Sequence, residues 1–314
     1  MTAELGAMVS DYLRVRRSLG YKLDGAEHLL FAFVHYLHEQ DATTVSIEHA
    51  VGFAMAPTGV SPRYHALRLS AIRCFARWAH VVDPTVQVPP ARLLPARSTR
   101  AAPYIYTGSQ VAALLRAADE LRPAIRAGTF HTLVALMSAT GIRTGEAMGL
   151  DLTDLDPRAR TLTVTGKYGK TRLIPMHPTV LEGLAQYLRA RSQLLAAAPC
   201  PALLVSSAGN RLTPSVVHPT FRRLTHRAGL TAVSSVCRPR LHDLRHTFAV
   251  STMLDAYRSG TDPAAVLPIL TTWLGHADPS NTYWYLTGTA ELLAAATDRL
   301  QANCEHHSGS SEPS

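Results

Sequence analysis

The spacing of apolar residues changes character between residues 160 and 176. In RTLTVTGKYGKTRLIPM, apolar and polar residues alternate on either side of a short glycine-containing turn, and a period of two broken by such a turn is the pattern of a β-hairpin. The segments around it keep helical spacing. A chain written this way folds as mainly α with a small antiparallel β-sheet, the sheet lying in the second half. The hairpin also concentrates a rare residue: Lys167 and Lys170 are two of only three lysines, although Lys and Arg together number 31. Where arginine meets almost every need for positive charge, a lysine pair asks for a chemical reason.

At 314 residues the chain is long enough for two domains, each with its own interior. In the first hundred residues Leu5, Met8, Val9, Tyr12 and Leu13 recur at helical spacing, as do Leu29, Leu30, Phe33, Val34 and Leu37. A third clear helix opens at SPRYHALRLSAIRCFARWAHVV, with Ser61 as N-cap and Pro62 at the first helical position. Its Leu67, Ile72, Phe75 and Trp78 are expected inward. Arg63, Arg68, Arg73 and Arg77 recur on another face, which could track a phosphate backbone or simply be solvated. The proline-rich, basic stretch 83–103 has no helical period and is read as a connection between domains. The expected division is a helical domain over 1–98, a linker over 99–106, a second domain over 107–302 and a disordered polar tail over 303–314. The second domain opens with the capping signal TGSQ, runs helically to a turn at Gly141, and returns to helix from Pro178 to about residue 300.

Composition narrows the class. An apolar fraction of 46% with 17% charged residues is ordinary for a globular protein, and no apolar run reaches the length of a membrane span. The first residues, MTAELGAMVSDYLRVRRSLGY, are too polar for a signal peptide, so a cytoplasmic location is expected. Cys74, Cys200, Cys237 and Cys304 lie far apart without CxxC spacing, which argues against a disulfide framework or a zinc ribbon. A net charge of +8 points to a polyanionic partner.

Four separated stretches of the second half carry the chemistry: ATGIRTGEAMGL, GKYGK, LHDLRHTFA and LGHADPSNTYWYL. In this order they resemble the tyrosine recombinases of the phage-integrase type, over roughly residues 104 to 300, and the helical N-terminal part is similar in size and character to that family's core-binding domain. The resemblance implies a two-domain architecture, a helical core-binding domain followed by a mixed α/β catalytic domain. It also implies catalytic roles for Arg143, Lys167, His242, Arg245 and His276, with Tyr285 as nucleophile. Its spacing selects Tyr285 over Tyr283. The implied activity is site-specific cleavage and rejoining of DNA through a 3′-phosphotyrosyl intermediate, with no cofactor, metal or ATP. The implied partners are double-stranded DNA with inverted-repeat half-sites and further copies of the chain, a dimer per site and a tetramer in the synapse, with accessory or sister recombinases. A nucleoid-associated location and a role in moving mobile DNA follow from the same resemblance.

The residue types fit that chemistry. Cleaving a phosphodiester concentrates negative charge on the non-bridging oxygens, which guanidinium groups such as Arg143 and Arg245 can hold bidentately while staying charged. His242 and Arg245 are three apart, so one helix would present both on one face. A tyrosine phenol is a weak nucleophile that must lose its proton as it attacks. A departing 5′ oxygen needs a proton from a group whose pKa can fall toward neutrality, which a lysine can supply and an arginine cannot. That is the reason for Lys167, with Lys170 sharing the work or binding a phosphate. Glu146 and Asp243 are expected to orient the arginines and histidines.

Other readings fit parts of the same pattern. His242 and His246 stand four apart, imitating a zinc motif, although Asp243 replaces its glutamate and Arg245 would put a cation beside the metal. A catalytically inert DNA-binding regulator on the same fold and a type IB topoisomerase are further alternatives. The expected arrangement on DNA is a C-shaped clamp. An amphipathic helix after Tyr285, with Leu292, Leu293, Ala296 and Leu300 on one face, would dock on its own chain or on a neighbour.

Overall fold

The computed structural model describes residues 2–95, 102–166, 169–194 and 200–276, together with positions 278, 282, 294, 296 and 297. The chain divides into two compact units, Met1–Arg100 and Ala101–Ser314.

The first unit holds four helices, α1 (Thr2–Ser18), α2 (Asp24–Glu39), α3 (Ile47–Met55) and α4 (Pro62–Val82). Helical spacing puts Leu5, Val9, Tyr12 and Leu13 of α1 on one buried stripe, and Leu30, Phe33 and Leu37 of α2 on another. These stripes meet Phe53 of α3 and Ile72 and Phe75 of α4 in one core. Its aromatic rings pack at an angle, Tyr12 edge-on to Phe75 at 5.7 Å and Phe33 tilted against Phe53 at 5.3 Å between centroids. Ser61 caps α4 as its sequence indicates, accepting the Tyr64 N–H at 3.3 Å.

Three expectations for this unit change. The helix read as the third is the fourth, because α3 spans nine residues, too few to show a clear period. Leu67 is not inward but 53% exposed. And the proline-rich stretch is no free connection through residue 95: Val86 is fully buried, and Val88 and Leu94 pack on the same core. Arg73 Nε donates to the Pro89 carbonyl at 2.9 Å, and the Gln87 N–H donates to the Val45 carbonyl at 2.8 Å. Proline carbonyls keep their full acceptor capacity, so arginine can fasten a segment that has no ladder of its own. On the other side, Tyr104 and Tyr106 are buried in the core of the second unit.

In the second unit α5 (Gly108–Asp119) opens on a capping box between Thr107 and Gln110. Helix α6 (Ala124–Thr140) is buried around most of its circumference, and α5, α8 (Pro178–Leu194) and α10 (Asp243–Arg258) pack against it. It stops at Gly141, whose φ of 63° is the left-handed cap that glycine adopts at little cost. The short α7 (Thr144–Gly149) follows, then an antiparallel sheet of β1 (Leu155–Asp156), β2 (Thr161–Thr165) and β3 (Thr171–Pro175), in that order. Leu162 pairs with Ile174 and Val164 with Arg172. Leu162, Val164 and Ile174 are fully buried, each worth about 1.5–3 kcal/mol to the fold. The helical return after Pro178 is interrupted: residues 200–212 run irregularly, joined by single bridges such as Asp151 to Ala202, before α9 (Pro214–Arg227). Helix α11 (Pro263–Leu274) packs on α10 and ends at Gly275, φ 65°. No described helix is long and apolar enough to cross a membrane.

Candidate active site

The left-handed turn at Gly141 sends the chain into α7 with Arg143 at its N-cap position. There the Arg143 N–H donates to Glu146 Oε2 at 2.9 Å and Nη1 donates to Oε1 at 2.7 Å. Its Nη2 reaches the Gly275 carbonyl beyond α11, at 3.1 Å. Glu146 is 9% exposed and takes a second guanidinium, Arg172 of β3, whose Nη2 and Nη1 donate to its two oxygens at 2.7 and 3.2 Å. Burial alone would raise the Glu146 carboxyl. Hydrogen bonds from Arg172 and Arg143 more than offset it, holding the group below the usual carboxylate range.

The second half of the site is the start of α10. Asp243 is fully buried and braces Arg240 through Nη2 at 2.7 Å and Nε at 3.0 Å, while the Arg240 N–H caps it at 2.9 Å. The chain entering the unit is stitched to the same place: Tyr106 donates its hydroxyl to the Arg240 carbonyl at 3.0 Å and its N–H to Thr247 Oγ1 at 2.9 Å. Burial raises the Asp243 carboxyl against the hydrogen bonds of Arg240, and raises the Tyr106 phenol far above its ordinary value. His242 stands at the N-cap position of the helix with right-handed helical dihedrals, and its carbonyl accepts the Arg245 N–H at 3.1 Å, so the two share the opening turn. Arg245 is 0% exposed. Its Nη1 donates to the Gly141 carbonyl at 2.8 Å, and its Nη2 donates to the Leu274 carbonyl at 2.7 Å and meets His276 Nε2 at 2.8 Å.

A guanidinium only donates, so Nε2 of His276 is the acceptor and Nδ1 carries the ring proton. That proton goes to Thr282 Oγ1, 2.8 Å away, and the buried Thr282 hydroxyl lies 3.0 Å from that of Thr271. The His276 pKa is lowered to about 4, by burial first and then by the charges of Arg245, Arg143 and Arg172. Lost solvation and the Arg245, Arg240 and Arg143 charges lower His242 to about 4 as well, although the residue is exposed at the surface. Two guanidinium groups share the Glu146 carboxylate, and Arg245, held on His276 and backbone carbonyls, has no carboxylate among these partners, so positive charge is in excess. Such a pocket is built for an anion that brings its own negative charge.

Arg143, His242, Arg245 and His276 therefore converge from the ends of α6, α10 and α11. Lys167 and Tyr285 lie outside the described residues. Lys170 is exposed at the hairpin, its carbonyl accepting the Gly166 N–H at 2.7 Å. Of the α4 arginines, Arg63 and Arg77 are exposed, whereas Arg68 is stacked 3.8 Å from the Phe53 ring and donates to the Phe53 carbonyl at 2.8 Å. With Arg73 also engaged on Pro89, this face is not a uniform solvated stripe. Glu146 and Asp243 do orient arginines. In the zinc-like spacing the rings of His242 and His246 meet at 88°, and Asp243 faces Arg240 instead. Among the described residues no group of three or more His, Cys, Asp or Glu side chains could hold a metal.

Arg172 is the site residue missed in the sequence. Its signal was available: alternation puts it in the inward row with Leu162, Val164 and Ile174, and a charge in an apolar row requires a partner.

Residues 105–291 match the phage integrase family. Over 304 residues the chain is 41% identical to the putative integrase/recombinase y4rB of Sinorhizobium fredii, covering 95% of this chain and 97% of that one. It is 32% identical over 297 residues to tyrosine recombinase XerC of Haemophilus influenzae, covering 92% and 94%. Among solved structures, the Tn1549 transposon integrase in complex with a circular intermediate DNA superposes with a TM-score of 0.64 at 17% identity, over 94% of this chain and 99% of that one, a likeness of fold.

Proposed function

This chain belongs to the phage integrase family and is a site-specific recombinase of the tyrosine type, and we propose that it works through a covalent 3′-phosphotyrosyl intermediate on Tyr285. The observation that carries this mechanism is the meeting of Arg143, Arg245 and His276 in one pocket with excess guanidinium charge. Arg143 and Arg245 compensate the non-bridging oxygens of the scissile phosphate, His242 adds a hydrogen bond, and His276 acts by holding the Arg245 guanidinium. The Tyr285 oxygen bonds to phosphorus as its proton passes to the neutral His242 imidazole, the bond from phosphorus to the 5′ oxygen breaks, and Lys167 protonates that oxygen. The 5′ hydroxyl of another strand then reverses the step. Because the ester keeps the bond energy, rejoining draws on neither ATP nor a metal. Support for Tyr285 comes from Thr282, held on His276; the three residues onward span at most about 11 Å.

On DNA, two copies occupy inverted half-sites and four form the synapse, the helical N-terminal unit and the catalytic unit both contacting the duplex. The tail after Tyr285 docks on its own chain or on a neighbour. Arg63, Arg77 and Lys170 are phosphate contacts in this arrangement, and the substrate is mobile DNA, moved with accessory or sister recombinases.

The test starts from DNA crosslinked to the protein in cells, sequenced and resynthesised as a duplex nicked near the cleavage position. Wild type is expected to form an adduct that survives denaturing electrophoresis. Tyr285→Phe is expected to shift the duplex equally but form none. An adduct formed by Tyr285→Phe, or binding by wild type with no adduct, sinks the mechanism; the second result is also what an inert regulator would give.

A further inference from the structure

Arg172 occupies an inward position of β3, opposite Val164, and its side chain is 14% exposed. All three of its guanidinium nitrogens are engaged. Nε donates to the Trp273 carbonyl at 2.7 Å, and Nη1 and Nη2 hold the two oxygens of Glu146. The group lies so close to Gly275 that a Cβ there would stand 2.9 Å from Nη1. Glu146 and the Gly275 carbonyl are also the partners of the Arg143 guanidinium. Arg172 therefore touches both supports of Arg143, one on α7 and one past the end of α11.

We infer that Arg172 is a positioning residue of the recombination centre: by claiming Glu146 and seating the end of α11, it keeps Arg143 directed at the scissile phosphate without touching a reacting atom. This rests on the reading of Arg143 as a phosphate-binding group. A carboxylate buried beside two guanidiniums divides its acceptor capacity between them. Without Arg172, Glu146 draws Arg143 into a bidentate pair of its own, and the charge meant for the phosphate is spent on the carboxylate. Lysine cannot substitute fully, because one ammonium on a flexible stem does not span both Glu146 oxygens and the Trp273 carbonyl in the fixed geometry of the fork.

The test compares adduct formation on two versions of the nicked duplex, one with the ordinary scissile phosphate and one with a neutral methylphosphonate at the position mapped by the wild-type adduct. The second carries no negative charge for Arg143 to compensate. Arg172→Met is expected to slow adduct formation about tenfold or more on the phosphate but less than about threefold on the methylphosphonate, with duplex binding unchanged. Arg172→Lys should fall between. The double variant Arg172→Met/Glu146→Gln removes the carboxylate that captures Arg143 and is expected to be faster than Arg172→Met alone on the phosphate. Equal slowing on both substrates, or no slowing, overturns the inference, as does a double variant no faster than the single one. Arg143→Ala separates the levels. If it is selective for the phosphate and Arg172→Met is not, the positioning role alone fails; if it slows both substrates alike, the reading of Arg143 fails and the inference goes with it.

Discussion

Histidines at this site hold protons weakly. His246 is 7% exposed, and burial, then the charges of His242, Arg240, Arg245 and His276, lower its pKa to about 3; His276 is lowered to about 4. An unfolded chain takes up these protons near pH 6.5, whereas the fold refuses them until far lower. Stability should therefore fall as pH drops through that interval, before the lowered carboxyl of Glu146 begins to titrate. Urea denaturation from pH 7.5 to pH 5 should show the midpoint decreasing, and His246→Asn should show a smaller decrease; a midpoint flat over that range would refute the assignment. At this scale much was legible. Arg143, Arg245 and His276 could be named as candidates because the ordered motifs resemble those of the phage-integrase type, and the structure brings them together. Arg172 was passed over because its work is done on another side chain and leaves no chemical signature of its own. The pairing of Asp243 with Arg240, and not with a histidine, depends on the turn that opens α10, which residue types alone do not specify.

Among the elements, the hairpin was readable because a period of two is distinct from the helical background, and its register follows from the buried pair Leu162 and Ile174. Strand β1, two residues long, has no period to read. The turns after α6 and α11 matter most for the proposed mechanism, since Arg143 and His276 each follow a left-handed glycine within two positions. Gly275 also leaves room for Arg172. Gly275→Ala should cost about 1–2 kcal/mol from the left-handed backbone and in addition displace the Arg172 guanidinium, slowing adduct formation. Gly229 supplies the comparison: its φ is 67°, but a Cβ there meets nothing within 4 Å. Gly229→Ala should lose similar stability by urea denaturation yet keep the adduct rate. If both variants slow adduct formation equally, backbone strain and not the contact with Arg172 is responsible.

At the level of the molecule, two domains are expected, the first over 1–98, and the compact units divide at Arg100; the reading that changes is that of residues 83–95 as part of a connection. Proline and arginine with no helical period read as a tether, because such composition has no internal hydrogen-bonding pattern; what gives residues 83–95 a fixed place is tertiary contact. Val86 enters the core of the helical unit, and His80 Nδ1 lies 2.7 Å from its carbonyl. The segment thus acts as a strap across α4, ordered by the helices and closing the core in return. Two fragments test this. Residues 1–95 contain every side chain of that buried cluster, and at this length a single core can support cooperative folding. Residues 1–82 end with α4 and keep its helical pattern while losing Val86, Val88 and Leu94. Exposing the surface those three cover should cost at least about 2 kcal/mol, a large share of the stability of a domain this small. Helical content by circular dichroism and urea midpoints should show a sharp transition for 1–95 and a lower or lost one for 1–82. Equal midpoints would mean that the strap follows the helices without stabilising them, and the boundary would belong at residue 82.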